Sequence, residues 1–139
     1  MISPSVIGVL ETAIYVEDLT LSQAFYERVL GLVEILRENG RFHALRVSGN
    51  QVLLIFAIGR SVTPTDTPGG LIPSHDGRGQ LHIAFEIAGT QVDAWRAHLQ
   101  ELRIAIESEV DCARGGHSIY FRDPDNHLIE LVTRECWGM

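Results

Sequence analysis

The sequence predicts an α+β protein built from two tandem βαβββ modules, which together form a curved, open mixed sheet. Two observations support this prediction. Strand-like and helix-like segments follow one another in the same order in each half of the chain, and the two halves can be set residue against residue. With 139 residues the chain has the size of a single domain. We divide it into module one (about 8–58), a loop (59–79) and module two (about 80–134).

Module one begins with the β-type segment LETAIYV, followed by LTLSQAFYERVLGL, whose apolar residues recur at helical spacing. Asp18 or Thr20 is expected to cap this helix and Gly31 to end it. RFHALRV and QVLLIFAI, separated by a Ser-Gly-Asn turn, predict a hairpin. The stretch from Gly59 to Gly79 is rich in proline and glycine, which predicts an irregular connection that serves as a lid or a linker.

Module two repeats this order. LHIAFEI predicts a strand, VDAWRAHLQEL a helix, RIAIESEV a short strand, and GGHSIYFRDPDNHLIELVT a hairpin. Setting HALRVSGNQVLLIF on SIYFRDPDNHLIEL places Leu54 on Glu130, and setting LETAIYV on LHIAFEI places Glu11 on His82. A repeat of a whole unit is a stronger indication of architecture than any single strand.

Composition excludes several classes of partner. A formal charge of -7 argues against a nucleic acid or an anionic membrane, since both favour a basic face. No segment resembles a targeting signal or a membrane span, so we expect a cytoplasmic protein. Cys112 and Cys136 form no CxxC motif, and we expect them to be free thiols in a reducing compartment.

Glu130 lies in the apolar strand segment HLIELVT. A charge among apolar side chains is costly unless it is paired or bound to a metal. Strand alternation puts Glu11 and His82 on the polar faces of their own strands, and packing the modules about a pseudo-twofold axis would gather all three side chains. Two carboxylates and an imidazole predict a divalent-metal site formed by Glu11, His82 and Glu130. The alternative for each is a paired or solvent-facing strand residue.

These segments resemble the vicinal oxygen chelate superfamily, which includes glyoxalase I, extradiol dioxygenases, methylmalonyl-CoA epimerase, and the fosfomycin and bleomycin resistance proteins. The closing hairpin SIYFRDPDNHLIEL carries the most specific similarity. The resemblance implies that Glu11, His82 and Glu130 hold the metal, with Glu11 and Glu130 also as catalytic groups. It also implies that Ser118 and Tyr120 face the substrate pocket.

Arg122 and His75 are further candidates for contacting an anionic substrate, although Arg122 could simply pair with a nearby aspartate. The sequence departs from the family where Leu54 replaces a further acidic or amide ligand, and where Glu11 replaces the usual histidine. Two functions therefore stay open. One is a metal-dependent enzyme, either a glyoxalase-like lyase or isomerase or an extradiol-type dioxygenase, using Fe, Mn, Ni or Zn. The other is a metal-free, bleomycin-resistance-type binding protein. The resemblance also implies a homodimer acting on a small molecule.

Overall fold

The computed structural model of the protein describes residues 2–139 and divides into two compact units, one ending at Arg78 and the next beginning at Gly79. Each unit contains one βαβββ arrangement with its own four-stranded mixed sheet. The predicted α+β class is therefore confirmed, with a module in each half of the chain. No helix within residues 2–139 has the length and apolar character needed to cross a membrane.

The first unit has five main elements and a sheet of order β1-β4-β3-β2. Strand β1 runs parallel to β4, and the other neighbours are antiparallel. The helix begins where the Asp18 carboxylate accepts the Leu21 N–H at 2.9 Å, and it ends at Gly31, which has a left-handed φ of 68°. The elements are β1 (Glu11–Val16), α1 (Leu19–Leu30), β2 (Val33–Glu38), β3 (Phe42–Ser48) and β4 (Gln51–Ala57).

The connection between the modules is more ordered than the sequence indicated. It contains a short hairpin of β5 (Thr65–Thr67) and β6 (Gly70–Ile72), so the expectation of a wholly irregular loop is wrong. Its final part rests on β1. A Cβ on Gly77 would lie 2.3 Å from the Tyr15 ring, so only glycine fits this approach.

The second unit repeats the arrangement, with a sheet of order β7-β10-β9-β8 and a parallel β7–β10 pair. Its elements are β7 (His82–Glu86), α2 (Val92–Glu101), β8 (Ser108–Asp111), β9 (His117–Arg122) and β10 (Leu128–Val132), followed by a short 3-10 helix, Arg134–Trp137. The inward faces of β9 and β10 supply fully buried side chains: Ile119, Phe121, Ile129 and Leu131. All four predicted segments of module two are confirmed.

Strand register tests the internal repeat directly. Ala13 lies opposite Leu54 in the first sheet and Ala84 lies opposite Glu130 in the second, so the equivalence of Leu54 and Glu130 is confirmed. The antiparallel neighbour strands, β3 in the first sheet and β9 in the second, depart by one residue from the sequence alignment of the two halves. Leu54 faces Ala44, whereas Glu130 faces Tyr120, and the alignment had placed Ala44 on Ile119. An irregularity between Arg46 and Ser48 shifts the register of the first hairpin.

The two cysteines form a disulfide, so the expectation of free thiols is wrong. Backbone hydrogen bonding explains the pairing. Cys112 N donates to Gly116 O in the turn before β9, and Thr133 N donates to His117 O beside the 3-10 helix. These bonds bring the cysteine Cα atoms to 5.2 Å, within the ordinary range for a disulfide. The cellular compartment stays a prediction.

Candidate metal centre

His82 and Glu130 lie side by side on one face of the second sheet. In the parallel β7–β10 pair, His82 is in register with Leu128 and Ala84 with Glu130. Because side chains two residues apart share a face of a strand, the imidazole and the carboxylate meet. The distance from His82 Nε2 to Glu130 Oε1 is 3.3 Å. The structure therefore brings together two of the three predicted ligands.

The tautomer of His82 follows from its backbone partner. Nδ1 lies 2.9 Å from the Leu128 carbonyl oxygen, and a carbonyl can only accept a hydrogen bond. Nδ1 therefore carries the proton that this bond needs, and Nε2 is the ring nitrogen that faces Glu130. A histidine whose second nitrogen donates to a carbonyl is a common arrangement for metal ligands, because this bond fixes the ring orientation.

Glu130 is held in an enclosed position. Strand β10 is central, between β7 and β9, and the Glu130 side chain is only 13% exposed. The Ser118 hydroxyl donates to Glu130 Oε2 at 2.6 Å, and Ser118 itself is 2% exposed. Tyr120 lies directly across from Glu130 in the β9–β10 pair. Burial raises the pKa of the Tyr120 phenol, and the Glu130 charge adds to this effect, so the phenol stays protonated at neutral pH.

The donor set fits a divalent metal. With His82 neutral, Nε2 and Glu130 Oε1 are both acceptors, and a cation is needed between them: either a proton on Nε2 or a metal ion. An imidazole nitrogen and a carboxylate oxygen suit Zn, Mn, Fe or Ni. The part of the chain described, residues 2–139, contains no group of three or more His, Cys, Asp or Glu side chains arranged for a metal.

Glu11, the third predicted ligand, is the first residue of β1 in the other unit. Its carboxylate is exposed and has no hydrogen-bond or ion-pair partner within residues 2–139. The participation of Glu11 therefore stays a prediction.

Sequence reasoning missed the role of the DPDNH turn in placing His82. His127 is 1% exposed, and its Nδ1 accepts the Leu81 N–H at 2.9 Å. The Asp123 carboxylate in turn accepts the His127 N–H at 2.8 Å. The residue before His82 is thus fixed by a buried ring on the neighbouring hairpin. The aspartate four residues before a histidine, across a tight turn, was the available signal.

The remaining predicted substrate residues already have partners. Arg122 forms an ion pair with Glu107 at 3.0 Å and donates to Asn126 O at 3.1 Å, instead of pairing with a nearby aspartate. His75 Nδ1 forms a 2.7 Å hydrogen bond with the Tyr15 hydroxyl in the first unit. Contact of either residue with a substrate stays a prediction.

Another histidine of the second unit, His117 on β9, belongs to a separate charged cluster. His117 Nε2 lies 2.6 Å from Glu109, which also pairs with Arg96 at 2.8 Å. Hydrogen bonds from Arg96 and then from His117 lower the pKa of Glu109 to about 2. The hydrogen bond with Glu109 in turn raises the pKa of His117. This cluster stabilises the edge of the sheet and explains His117 without a ligand.

Comparison with known proteins supports the same fold. A fosfomycin resistance protein, FosX, of Listeria monocytogenes is 45% identical over 51 residues, which cover 36% of this chain and 38% of that protein. A metallothiol transferase, FosB, of Lysinibacillus sphaericus is 29% identical over 119 residues, covering 85% of this chain and 76% of that protein. The first of these matches thus spans well under half of the relative's length.

Among solved structures, a lactoylglutathione lyase of Agrobacterium tumefaciens superposes with a TM-score of 0.88 at 31% identity, covering 98% of this chain and 100% of that one. A Listeria monocytogenes FosX mutant complexed with Mn(II) and a dihydroxypropylphosphonic acid superposes with a TM-score of 0.68 at 24% identity, covering 96% and 98%. At that identity the second likeness shows the fold alone. Residues 8–131 match the Glyoxalase/Bleomycin resistance protein/Dioxygenase superfamily, and the chain belongs to this family.

Proposed function

We propose that the protein is a divalent-metal-dependent enzyme that acts on a small substrate offering two oxygen atoms for chelation. The observation that carries this proposal is that His82 Nε2 and Glu130 Oε1 face each other at 3.3 Å. Each side chain is oriented by a hydrogen bond to its other polar atom: His82 by the Leu128 carbonyl and Glu130 by the Ser118 hydroxyl. An imidazole nitrogen and a carboxylate oxygen held in this way are arranged to share a cation.

Each candidate residue has a proposed role that follows from its position. His82 and Glu130 hold the metal, and Glu11 is the proposed third ligand and the group that exchanges protons with substrate. When bound, a divalent metal would act as a Lewis acid that polarises the substrate oxygens. Tyr120, protonated and opposite Glu130, is placed to donate a hydrogen bond to a substrate oxygen. The Ser118 hydroxyl donates a hydrogen bond to Glu130. Arg122 and His75 are proposed to contact parts of the substrate farther from the metal.

Relatives support metal use and small substrates without selecting one reaction. One relative is a metallothiol transferase and another was crystallised with Mn(II), while the lyase supports glyoxalase-like chemistry. We therefore propose a lyase or isomerase of glyoxalase type, with an extradiol-type dioxygenase as the alternative if the metal is ferrous. A cytoplasmic homodimer is part of the same proposal.

Metal content tests the proposal. The protein is purified without chelator and analysed by elemental mass spectrometry, alongside Glu130→Gln and His82→Ala. Glu130→Gln retains an acceptor for the Ser118 hydroxyl but removes the charge, so it separates metal binding from folding. The matched control is His98→Ala, which removes an imidazole that packs against Trp95 on α2.

We expect near-stoichiometric metal in the wild type and the control, and loss in both site variants. A wild type that carries no metal and cannot be loaded with Mn²⁺, Zn²⁺, Fe²⁺ or Ni²⁺ would contradict the proposal. The contact between His82 and Glu130 would then be structural. In that case metal-free binding of a small molecule by a dimer becomes the better function, which Leu54 and Glu11 at the other ligand-equivalent positions would suit.

A further inference from the structure

The disulfide lies behind the proposed metal ligand Glu130. Cys136 Sγ is 3.9 Å from the Ser118 hydroxyl oxygen, which donates to Glu130 Oε2 at 2.6 Å. Glu130 Oε1 in turn faces His82 Nε2. All four residues belong to the second unit. A continuous row of contacts therefore runs from the disulfide to the two proposed ligands.

Ser118 has one hydroxyl proton, and its partners determine where that proton points. A carboxylate only accepts, so the proton is given to Glu130. A disulfide sulfur carries no proton and cannot donate to Glu130 or to the serine oxygen. Because Ser118 is 2% exposed, water does not compete for the contact. In the oxidised protein the hydroxyl proton is thus directed at Glu130.

The same disulfide fixes the segment that packs against Ser118. It ties the turn before β9 to the 3-10 helix Arg134–Trp137. Two further contacts hold that helix: Arg134 pairs with Glu86, and Arg114 donates to the Trp137 carbonyl at 3.3 Å. Both contacts are between exposed groups and are weak on their own. Both cysteines are partly exposed, so a reductant can reach them.

We propose that Ser118 is a positioning residue for the metal ligand Glu130, and that the Cys112–Cys136 disulfide controls it, so that thiol–disulfide exchange sets the metal affinity of the site. Two electrons and two protons convert the disulfide into two thiols, and a dithiol reductant supplies them while becoming a disulfide itself. The new Cys136 S–H can donate to the Ser118 oxygen, and the 3-10 helix is no longer held covalently. Release of this helix loosens the packing that holds the Ser118 hydroxyl against Glu130, and the reduced protein binds metal more weakly.

This inference rests on the proposed metal function, and the experiment separates the two. Mn²⁺ is the probe, because it favours oxygen and nitrogen ligands over the thiols that reduction exposes. A trialkylphosphine is the reductant: it breaks the S–S bond, takes oxygen from water to become the phosphine oxide, and leaves two thiols. Free Mn²⁺ is measured by electron paramagnetic resonance for oxidised and reduced wild type, Ser118→Ala, and the double variant Cys112→Ser with Cys136→Ser.

We expect reduction to weaken Mn²⁺ binding by the wild type by about three- to tenfold, with the cysteine-free variant matching the reduced protein in both conditions. Ser118→Ala should bind about tenfold more weakly than the oxidised wild type, with less than about a twofold difference between its redox states. Circular dichroism of each sample establishes that it is folded, and the wild-type comparison needs no substitution.

Equal affinities of the oxidised and reduced wild type would overturn the inference while leaving the metal function intact. So would tighter binding by the reduced protein, or a redox difference that persists in Ser118→Ala. Absence of Mn²⁺ binding in both states of the wild type would overturn the proposed function and this inference together.

Discussion

The two units share one fold and differ at its centre. Leu54 and Glu130 occupy equivalent positions, each opposite an alanine of the parallel neighbour strand. On the antiparallel side, the second unit places Ser118 two residues before Tyr120, on the same face as Glu130, whereas the first places Phe42. The first unit fills this face with an aromatic group, Tyr15, Phe42 and Phe56, whose ring centroids lie 5.5 and 5.8 Å apart. This face of the first unit is filled by aromatic side chains, whereas the same face of the second unit carries polar side chains.

This difference shows that the βαβββ unit needs no polar group at its centre to form. The unit with leucine closes its sheet in the same strand order as the unit with glutamate. A glutamate that is 13% exposed costs stability unless it is compensated. The copy that carries it is the one in which we propose the metal site.

Exchanging the two central residues should have the largest effect. In Glu130→Leu the second unit acquires the residue of the first, and we expect Mn²⁺ binding to weaken by at least about 100-fold, because a charged ligand is lost. Isothermal calorimetry measures this loss. Leu54→Glu is the reciprocal variant, and it should not create a second site, because Glu11 stands where the second unit has His82. Metal binding with two sites in Leu54→Glu would contradict the comparison.

Removing the buried turn histidine should have the next largest effect. His127→Ala leaves the Leu81 N–H without its acceptor and opens a cavity, so we expect a loss of about 2–3 kcal/mol in the free energy of unfolding. The equivalent residue of the first unit is Gln51, which is exposed, and Gln51→Ala should change stability by less than about 0.5 kcal/mol. Urea denaturation of both variants measures the contrast. Similar losses of unfolding free energy in the two variants would contradict the expected difference between the two hairpins.

The smallest effect is a difference in pH dependence. Each unit has a carboxylate whose pKa is lowered to about 2: Glu34, mainly by its hydrogen bond from Arg37, and Glu109, mainly by that from Arg96. Each stabilises the folded state above its ordinary pKa near 4.5, and the contribution is lost as the pH falls toward 2. Only Glu109 also pairs with a histidine, His117, whose pKa is raised.

The raised pKa of His117 stabilises the protein fully below its ordinary value of 6.5, and the contribution is lost as the pH rises through the pKa of the folded state. In the wild type we expect the free energy of unfolding to fall by at most about 1 kcal/mol between pH 6 and 9 as His117 loses its proton. His117→Gln should not show this fall. Arg37→Gln should remove the Glu34 contribution on the acidic side of the profile. Thermal unfolding from about pH 2 to pH 9 measures both effects. An unchanged alkaline slope in His117→Gln would show that another group titrates there.

Sequence reasoning could predict the fold because the repeat is expressed in periodicity. The strand alternation in LETAIYV and LHIAFEI and the turn in DPDNH depend on local residue types, and the alternation indicated the face of the strand on which His82 lies. The shift at Arg46 and Ser48 was not predictable, since it depends on how two strands pair. The disulfide was missed for a related reason: Cys112 and Cys136 meet only after β9 and β10 are aligned. His127 was missed because burial of a turn residue depends on its neighbour strand.

The most direct test of the account is where a metal binds. Crystals of the protein soaked in Mn²⁺ would be measured at the manganese absorption edge, and the anomalous density located. We predict a peak at coordination distance, roughly 2.0–2.4 Å, from both His82 Nε2 and Glu130 Oε1, with the Ser118 hydroxyl still bonded to Glu130. A His82 ring bonded directly to Glu130 with no anomalous peak beside it would contradict the central claim.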